Sequence, residues 1–442
     1  MDRILKITLA FTALLFLILA ARLYELSIAG SDKLKQSSFN KRNIIASINA
    51  PRGKILTSDG TVIAESTGNP KKKRYYPFGQ KMAHLTGYYS TRYGASGAEL
   101  TFSRVLSVNY AELFWNTVPP EPGNIRLSID KNLQLKAYSL LRHKGALAAV
   151  DVKTGKVICL VSYPSFDPNN IDRDFEKIRK NPDAPLLNRA TAGIYPPGST
   201  IKILTLAAYL EEGGNLNDTF KAPPVYRIGG FRITNYDKHD FGTITLDDAF
   251  KYSVNTVFAQ LGLELGAGKM KSYMLKSGFG KKTGIELEEK SGHLPENLND
   301  PINLAWSSVG QADLSVTPLQ ILMLVQAVAN DGLLLHPTIL ADTPPDPIER
   351  IFTVETAKKM REAMRKVVTE GTGKKANSIV VKTAGKTGTA EVEGNKPHAW
   401  FVGFAPYENP EIAAVVVLEN AGTGGEKAAP IFRQLIDYYF SR

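Results

Sequence analysis

The chain has a single cysteine, Cys159, in 442 residues, which excludes an internal disulfide framework. Cys159 sits in an apolar stretch and is expected to fill core space. Histidine is scarce and scattered: His84, His143, His239, His293, His336 and His398 show no ligand spacing such as H-E-x-x-H, so neither a metal nor any other cofactor is expected. No glycine-rich loop leads into Lys-Ser or Lys-Thr as in phosphate-binding loops, and no G-x-S-x-G elbow points to an α/β-hydrolase. Acidic residues are outnumbered: 43 Asp and Glu against 54 Lys and Arg give a net charge of +11. Such a balance suits an anionic setting, whether lipid, wall polymer or nucleic acid, but no nucleic-acid motif accompanies it, so nucleic acid is not expected as a partner. At 43% hydrophobic and 22% charged the composition is that of globular protein, long enough for two or three domains.

One long apolar run is present, Ile4 to Leu23, interrupted between Ile7 and Ala21 only by Thr8 and Thr12. It approaches the ~20 residues needed to cross a bilayer. Arg3 and Lys6 at its start predict a cytoplasmic N-terminus, with everything after Leu26 exported. The rival reading is a cleaved signal peptide, since Leu19-Ala20-Ala21 loosely resembles a cleavage site. From Ile45 to Val118 the pattern changes to short strands with turns, including a hairpin in which Ser58-Asp59-Gly60 joins Arg52–Leu56 to Thr61–Ala64. The basic run Lys71-Lys72-Lys73-Arg74 is expected as a solvated loop. Pro119-Pro120-Glu121-Pro122-Gly123 then marks a boundary. The expected division is 1–26 as tail and membrane anchor, 27–124 as a small β-rich, non-catalytic pedestal, and 125–442 as the main domain.

In that domain a helix is expected through about Leu141, then strands Ala146 to Val152 and Val157 to Tyr163. Strands Ile379 to Lys386, Ala399 to Phe404 and Ile412 to Leu418 follow far downstream, with a last helix from Lys427 to Phe440. Strands at both ends enclosing a helical middle predict an α+β fold: one antiparallel sheet built from both termini, with helices packed on it.

The chemistry centres on Tyr195-Pro196-Pro197-Gly198-Ser199-Thr200-Ile201-Lys202, a stiff approach running into an apolar helical pattern that Gly213-Gly214 ends. At about 100° per residue, Lys202 falls on the same face as Ser199, one turn deeper. A serine hydroxyl needs a proton acceptor to become a nucleophile, and a desolvated, neutral lysine is one. Ser253-Val254-Asn255 follows between helical stretches. In extended or loop backbone its outer side chains point one way, Ser253 to relay a proton and Asn255 to hold Lys202 or a substrate amide. Lys386-Thr387-Gly388-Thr389 then enters a strand. There Lys386 and the Thr387 hydroxyl would meet a carboxylate, and Gly388 would leave the strand edge open to a peptide. Each pattern recurs by chance: Ser128 with Lys131, Ser38-Phe39-Asn40, Ser47-Ile48-Asn49, Lys153-Thr154-Gly155 and Lys282-Thr283-Gly284. The fourth of these joins two strands and is assigned to a turn.

Taken in order and context, the three motifs resemble those of the penicillin-binding proteins and serine β-lactamases. The flanks Leu187-Asn188-Arg189-Ala190, Ile244-Thr245-Leu246, Val309-Gly310-Gln311 and His398-Ala399-Trp400-Phe401-Val402-Gly403 resemble the class B penicillin-binding proteins, the peptidoglycan D,D-transpeptidases. The resemblance covers roughly Ile125 to the C-terminus, more weakly upstream, where Gly94 to Leu106 is similar to the segment closing the family's pedestal. Gln311 is followed by Ala312 where many members have glycine, which leaves that loop's conformation open.

The resemblance implies a transpeptidase domain with helices on both sides of its sheet and Ser199 acylated by stem peptides ending in D-Ala-D-Ala or by β-lactams. It implies an oxyanion hole from the N–H groups of Ser199 and Thr389. It also implies a membrane anchor, with a SEDS-type glycosyltransferase as membrane partner. Alternatives are a D,D-carboxypeptidase, a β-lactamase, or a silent scaffold or sensor. Glu296-Asn297-Leu298-Asn299 is one residue short of the water-activating motif of class A β-lactamases, and Gly292-His293-Leu294-Pro295 looks like the transpeptidase loop instead. The pedestal is either a spacer or a spacer that also contacts a membrane partner.

Overall fold

The computed structural model describes residues 2–25, 51–68, 73–108 and 121–442. The stray triplets Ser38–Asn40 and Ser47–Asn49, Lys71 and Lys72 of the basic run, and Pro119 and Pro120 of the boundary lie outside the described residues. Packing divides the chain into two compact units that are not contiguous in sequence. One comprises 1–54, 65–75 and 102–125; the other comprises 55–64, 76–101 and 126–442.

The first unit begins with helix α1, Asp2–Tyr24, which is long and apolar enough to cross a membrane and buries none of its side chains. Its two threonines cost little, because each hydroxyl donates to the carbonyl four residues earlier, Thr8 to Ile4 at 2.9 Å and Thr12 to Thr8 at 2.7 Å. Further along, Arg52 gathers its unit: its amide donates to Ser66 Oγ and its guanidinium to Ser107 Oγ, both at 2.9 Å, and its carbonyl accepts from Arg74.

In the second unit the expected hairpin forms, with Ile55 opposite Ala64. Helix α2, Lys131–Leu140, is capped by Asp130 and leads into strands β1, Gly145–Asp151, and β2, Val157–Tyr163. The turn between them is the Lys153-Thr154-Gly155 triplet, held by Asp151 Oδ1, which accepts from the amides of Lys153 and Thr154 and from the Thr154 hydroxyl. A helical middle follows, including α3, Lys202–Glu211, the hairpin β3, Val225–Ile228, with β4, Phe231–Thr234, then α4, Asn255–Lys276, and α5, Pro318–Ala329. Strands β5, Ala384–Val392, β6, Asn395–Ala405, and β7, Ile412–Leu418, precede the final helix α6, Gly424–Phe440.

The sheet order is β5-β6-β7-β1-β2, antiparallel throughout, so the two termini of the domain meet where β7 pairs with β1. Leu133 and Ala137 of α2 and Phe432 and Leu435 of α6 pack on one face against Leu147, Cys159, Phe401 and Val416. On the other face lies α5, buried at every residue and apolar but for Gln320 and Gln326, as suits a helix between layers. The α+β expectation, with helices on both sides of one antiparallel sheet, is met.

Boundaries moved in two places. The expected strand Ile379 to Lys386 is a loop up to Thr383: Ser378 Oγ accepts from the amides of Val380 and Val381, bending the chain, and Ile379 is fully exposed. Apolar alternation there reflects no burial. Lys386-Thr387-Gly388-Thr389 therefore lies inside β5, not at its entrance. In the helical middle, α4 breaks at Gly266, φ 78°, and then resumes.

Candidate active site

The nucleophile candidate owes its position to local backbone chemistry. Tyr195 forms an antiparallel bridge with Val316, its amide 3.0 Å from the Val316 carbonyl and its carbonyl 2.9 Å from the Val316 amide. Its hydroxyl donates to Glu419 Oε1 at 2.8 Å, the oxygen that also accepts from Arg189 Nε at 2.7 Å. Two prolines then fix the direction, and Gly198 turns the chain at φ 53°, a conformation glycine adopts without strain. Ser199 sits half-buried in the 3-10 turn Gly198–Ile201 that opens α3. The Gly198 amide donates to the Gly310 carbonyl at 2.9 Å, so Val309-Gly310-Gln311 braces this turn. Ala312 next to it takes φ 59°, the left-handed conformation that a glycine there would favour.

Lys202, one turn on, is completely buried. Its Nζ lies 2.6 Å from Asn255 Oδ1, 2.7 Å from the Ser253 carbonyl and 3.2 Å from Ser253 Oγ, with the Phe258 ring 5.3 Å away. Burial, and next the charge of Lys386, hold its pKa well below that of an ordinary lysine. Neutral lysine is the form that accepts a proton. Ser253 takes φ 61°, a strained conformation for a residue with a side chain, and Asn255 opens α4, where its Nδ2 donates to the Thr234 carbonyl at 2.8 Å. The second motif thus faces Lys202 from a turn plus a helix start, the loop rather than the extended alternative.

Strand β5 closes the site. Lys386 is also completely buried, its Nζ 5.5 Å from the Phe250 ring centroid, and desolvation lowers its pKa to about 7. A methyl group on Gly388 would stand 2.9 Å from Thr200 Cγ2, 2.9 Å from Trp400 Cβ and 3.2 Å from the Pro197 carbonyl oxygen. Glycine here lets the strand lie against the Ser199 turn, a packing reason different from the open peptide groove expected from sequence. Thr389 follows, half-buried, its carbonyl beside Gly198. The structure brings Ser199, Lys202, Ser253, Asn255, Lys386, Thr387, Gly388 and Thr389 into one locality.

The look-alike motifs among the described residues are elsewhere and structurally occupied. Ser128 Oγ donates to the Val157 carbonyl at 2.6 Å while Lys131 reaches Thr61, and Glu289 accepts from Thr283 and from the Gly284 amide. Among the described residues no group of three or more His, Cys, Asp or Glu is placed to hold a metal ion.

Two contributors went unnoticed in the sequence. Glu419 follows β7 with no motif around it, yet it ties Tyr195 to Arg189. Thr372 Oγ1 lies 2.7 Å from Thr387 Oγ1, and its loop is pressed through Gly371 against Lys251, two residues before the second motif; a methyl group on Gly371 would meet the Lys251 carbonyl at 2.4 Å. Only the small residues of Gly371-Thr372-Gly373 hinted at a close approach.

Comparison with known proteins agrees with this geometry. Residues 145–437 match the model described as the penicillin binding protein transpeptidase domain, and residues 52–120 match the penicillin binding protein A dimerisation domain. Peptidoglycan D,D-transpeptidase PbpA of Mycolicibacterium smegmatis is 31% identical, covering 98% of this chain and 97% of that protein. MrdA of Escherichia coli K12, also named a peptidoglycan D,D-transpeptidase, is 30% identical over 83% of this chain and 71% of its own. The penicillin G acyl-enzyme complex of penicillin-binding protein A from M. tuberculosis superposes with a TM-score of 0.81 at 30% identity, covering 88% of this chain and 99% of that one.

Proposed function

The chain belongs to the penicillin-binding protein transpeptidase family, and from that premise we propose that it is a membrane-anchored peptidoglycan D,D-transpeptidase, cross-linking stem peptides through an acyl-enzyme that β-lactams also form. The observation that carries this reading is the burial of Lys202 between Ser253 and Asn255, one helical turn from Ser199.

In the proposed sequence, Ser199 Oγ attacks the carbonyl of the penultimate D-alanine while neutral Lys202 takes its proton. Charge developing on the carbonyl oxygen is met by the N–H groups of Ser199 and Thr389. Ser253 passes a proton to the departing D-alanine amine, and Asn255 keeps Lys202 aimed at both serines. Protonated Lys386 and the Thr387 hydroxyl hold the terminal carboxylate. The acceptor amine then forms the new amide bond as the ester to Ser199 breaks.

The proposed layout keeps 1–26 as tail and anchor with the N-terminus in the cytoplasm, 27–124 as pedestal and 125–442 as the enzyme on the outer side of the membrane. Helix α1 and the two matched models support that division. A SEDS-type glycosyltransferase is the proposed membrane partner, on family resemblance; co-purification with and without Ile4 to Leu23 tests it. For the activity, the full-length protein in detergent is given a stem-peptide donor ending in D-Ala-D-Ala and an amine acceptor. Release of D-alanine together with a cross-linked product is expected. Release without cross-linking would assign a carboxypeptidase, and no release would contradict the reading.

A further inference from the structure

Beside the second motif the surface carries a run of rings that the proposed chemistry does not use. Tyr252, the residue before Ser253, is 43% exposed; its ring lies over that of Phe241, centroids 6.1 Å apart and planes 23° from parallel. Phe241 in turn meets the exposed His239 edge-on at 4.4 Å. This run is bolted to the catalytic backbone. Buried Asn235 donates from Nδ2 to the His239 carbonyl at 3.1 Å and accepts at Oδ1 from the Thr256 amide at 3.0 Å, while Asn255 Nδ2 reaches the Thr234 carbonyl at the end of β4. The rings therefore keep a fixed place relative to Ser253 and Asn255.

Resting on the transpeptidase reading, we infer that Tyr252, Phe241 and His239 form the subsite that receives the acceptor strand, a peptide whose side chain presents a primary amine. The first argument is microscopic reversibility. The leaving amine departs where Ser253 gives it a proton, so the attacking amine arrives at the same place, and the surface leading outward from Ser253 is the one its carrier meets. The second argument is chemical. An amine on an alkyl stem reaches the protein as an ammonium, and aromatic faces hold an ammonium and its methylenes. The Tyr252 ring already has a cation beside it: Lys251 Nζ, paired with Asp248 and Glu370, stands 4.8 Å from the ring centroid. In the transfer the acceptor ammonium first gives one proton to solvent; its neutral nitrogen then gains the acyl carbon and loses a second proton, and Ser199 Oγ loses the carbon and regains a proton.

The test measures how the acyl-enzyme divides between water and amine. Full-length protein in detergent is given a D-alanyl thioester donor with either a stem peptide bearing a free side-chain amine or free D-alanine, which has no alkyl-amine side chain for the rings to hold. Tyr252→Ala and Phe241→Ala are both made, because the first adjoins Ser253 and the second does not. Expected is a fall of about tenfold or more in aminolysis by the peptide in both variants, with aminolysis by D-alanine and acylation by penicillin changed less than about twofold. An unchanged peptide partition in either variant overturns the subsite, as does an equal loss for both acceptors. A parent protein that penicillin acylates but whose acyl-enzyme from the thioester donor no amine ever relieves overturns the transpeptidase reading as well.

Discussion

Gly198 and Thr389 touch: a methyl group placed on Gly198 would lie 2.8 Å from the Thr389 carbonyl oxygen. That contact sets the distance between the nucleophile turn and β5, and with it the spacing of the two N–H groups assigned to the oxyanion hole. Gly198→Ala is expected to push the strand away and also to strain a φ of 53°. Losing one oxyanion donor costs on the order of 100-fold or more, so penicillin acylation in a stopped-flow assay should slow by at least that order while the protein stays folded.

The two buried lysines give the enzyme a pH signature. Lys202 must be neutral to accept a proton, whereas Lys386 must be charged to hold a carboxylate, and burial brings Lys386 down to about 7. Affinity for carboxylate-bearing ligands is therefore expected to weaken as pH rises through about 7 in the free enzyme. Stability runs the other way. Between that value and the ordinary lysine value of 10.5 the unfolded chain binds a proton that the folded chain does not, so stability rises with pH across this window. Lys386→Met should reduce the slope, leaving the part that Lys202 contributes, and raise the melting temperature most at neutral pH and below, while abolishing acylation. Melting curves from pH 6 to about 10, compared with the parent, check the sign.

Thr372 orients the Thr387 hydroxyl across a 2.7 Å contact. Thr372→Val is expected to slow acylation by penicillin about tenfold, roughly the ~1.4 kcal/mol of one hydrogen bond. Acylation by the corresponding methyl ester should change little, and Thr372→Ser should restore the parent rate. Equal losses for acid and ester would assign the effect to structure alone.

How much of this was legible beforehand follows physical lines. The Ser199–Lys202 pair was readable because helical geometry fixes a spacing of three, and the two-ended sheet because strands β1, β2 and β7 are continuously apolar. The Lys153 turn was readable because tight turns have their own chemistry. What hid was tertiary. Gly388 serves Thr200 and Trp400, Glu419 serves Tyr195, and Thr372 serves Thr387, each across tens to hundreds of residues without a local pattern. Ile379 misled because an apolar residue at a bend looks the same in sequence as one in a strand.

Ala312 holds a left-handed φ of 59° beside the loop that braces Gly198. A non-glycine residue pays about 1–2 kcal/mol there, offset in part by the entropy a glycine loses on folding. Ala312→Gly should therefore stabilise the protein by about 0.5–1 kcal/mol, read as an upward shift of the denaturant midpoint with unchanged slope.

The central claim is that Ser199, backed by Lys202, carries the acyl group, and intact-protein mass spectrometry after incubation with penicillin tests it directly. The account predicts one added penicillin on the parent, located by peptide mapping at Ser199, and none on a folded Ser199→Ala variant. An adduct of equal stoichiometry on that variant, or one mapped to Ser128 or any other serine, would contradict it.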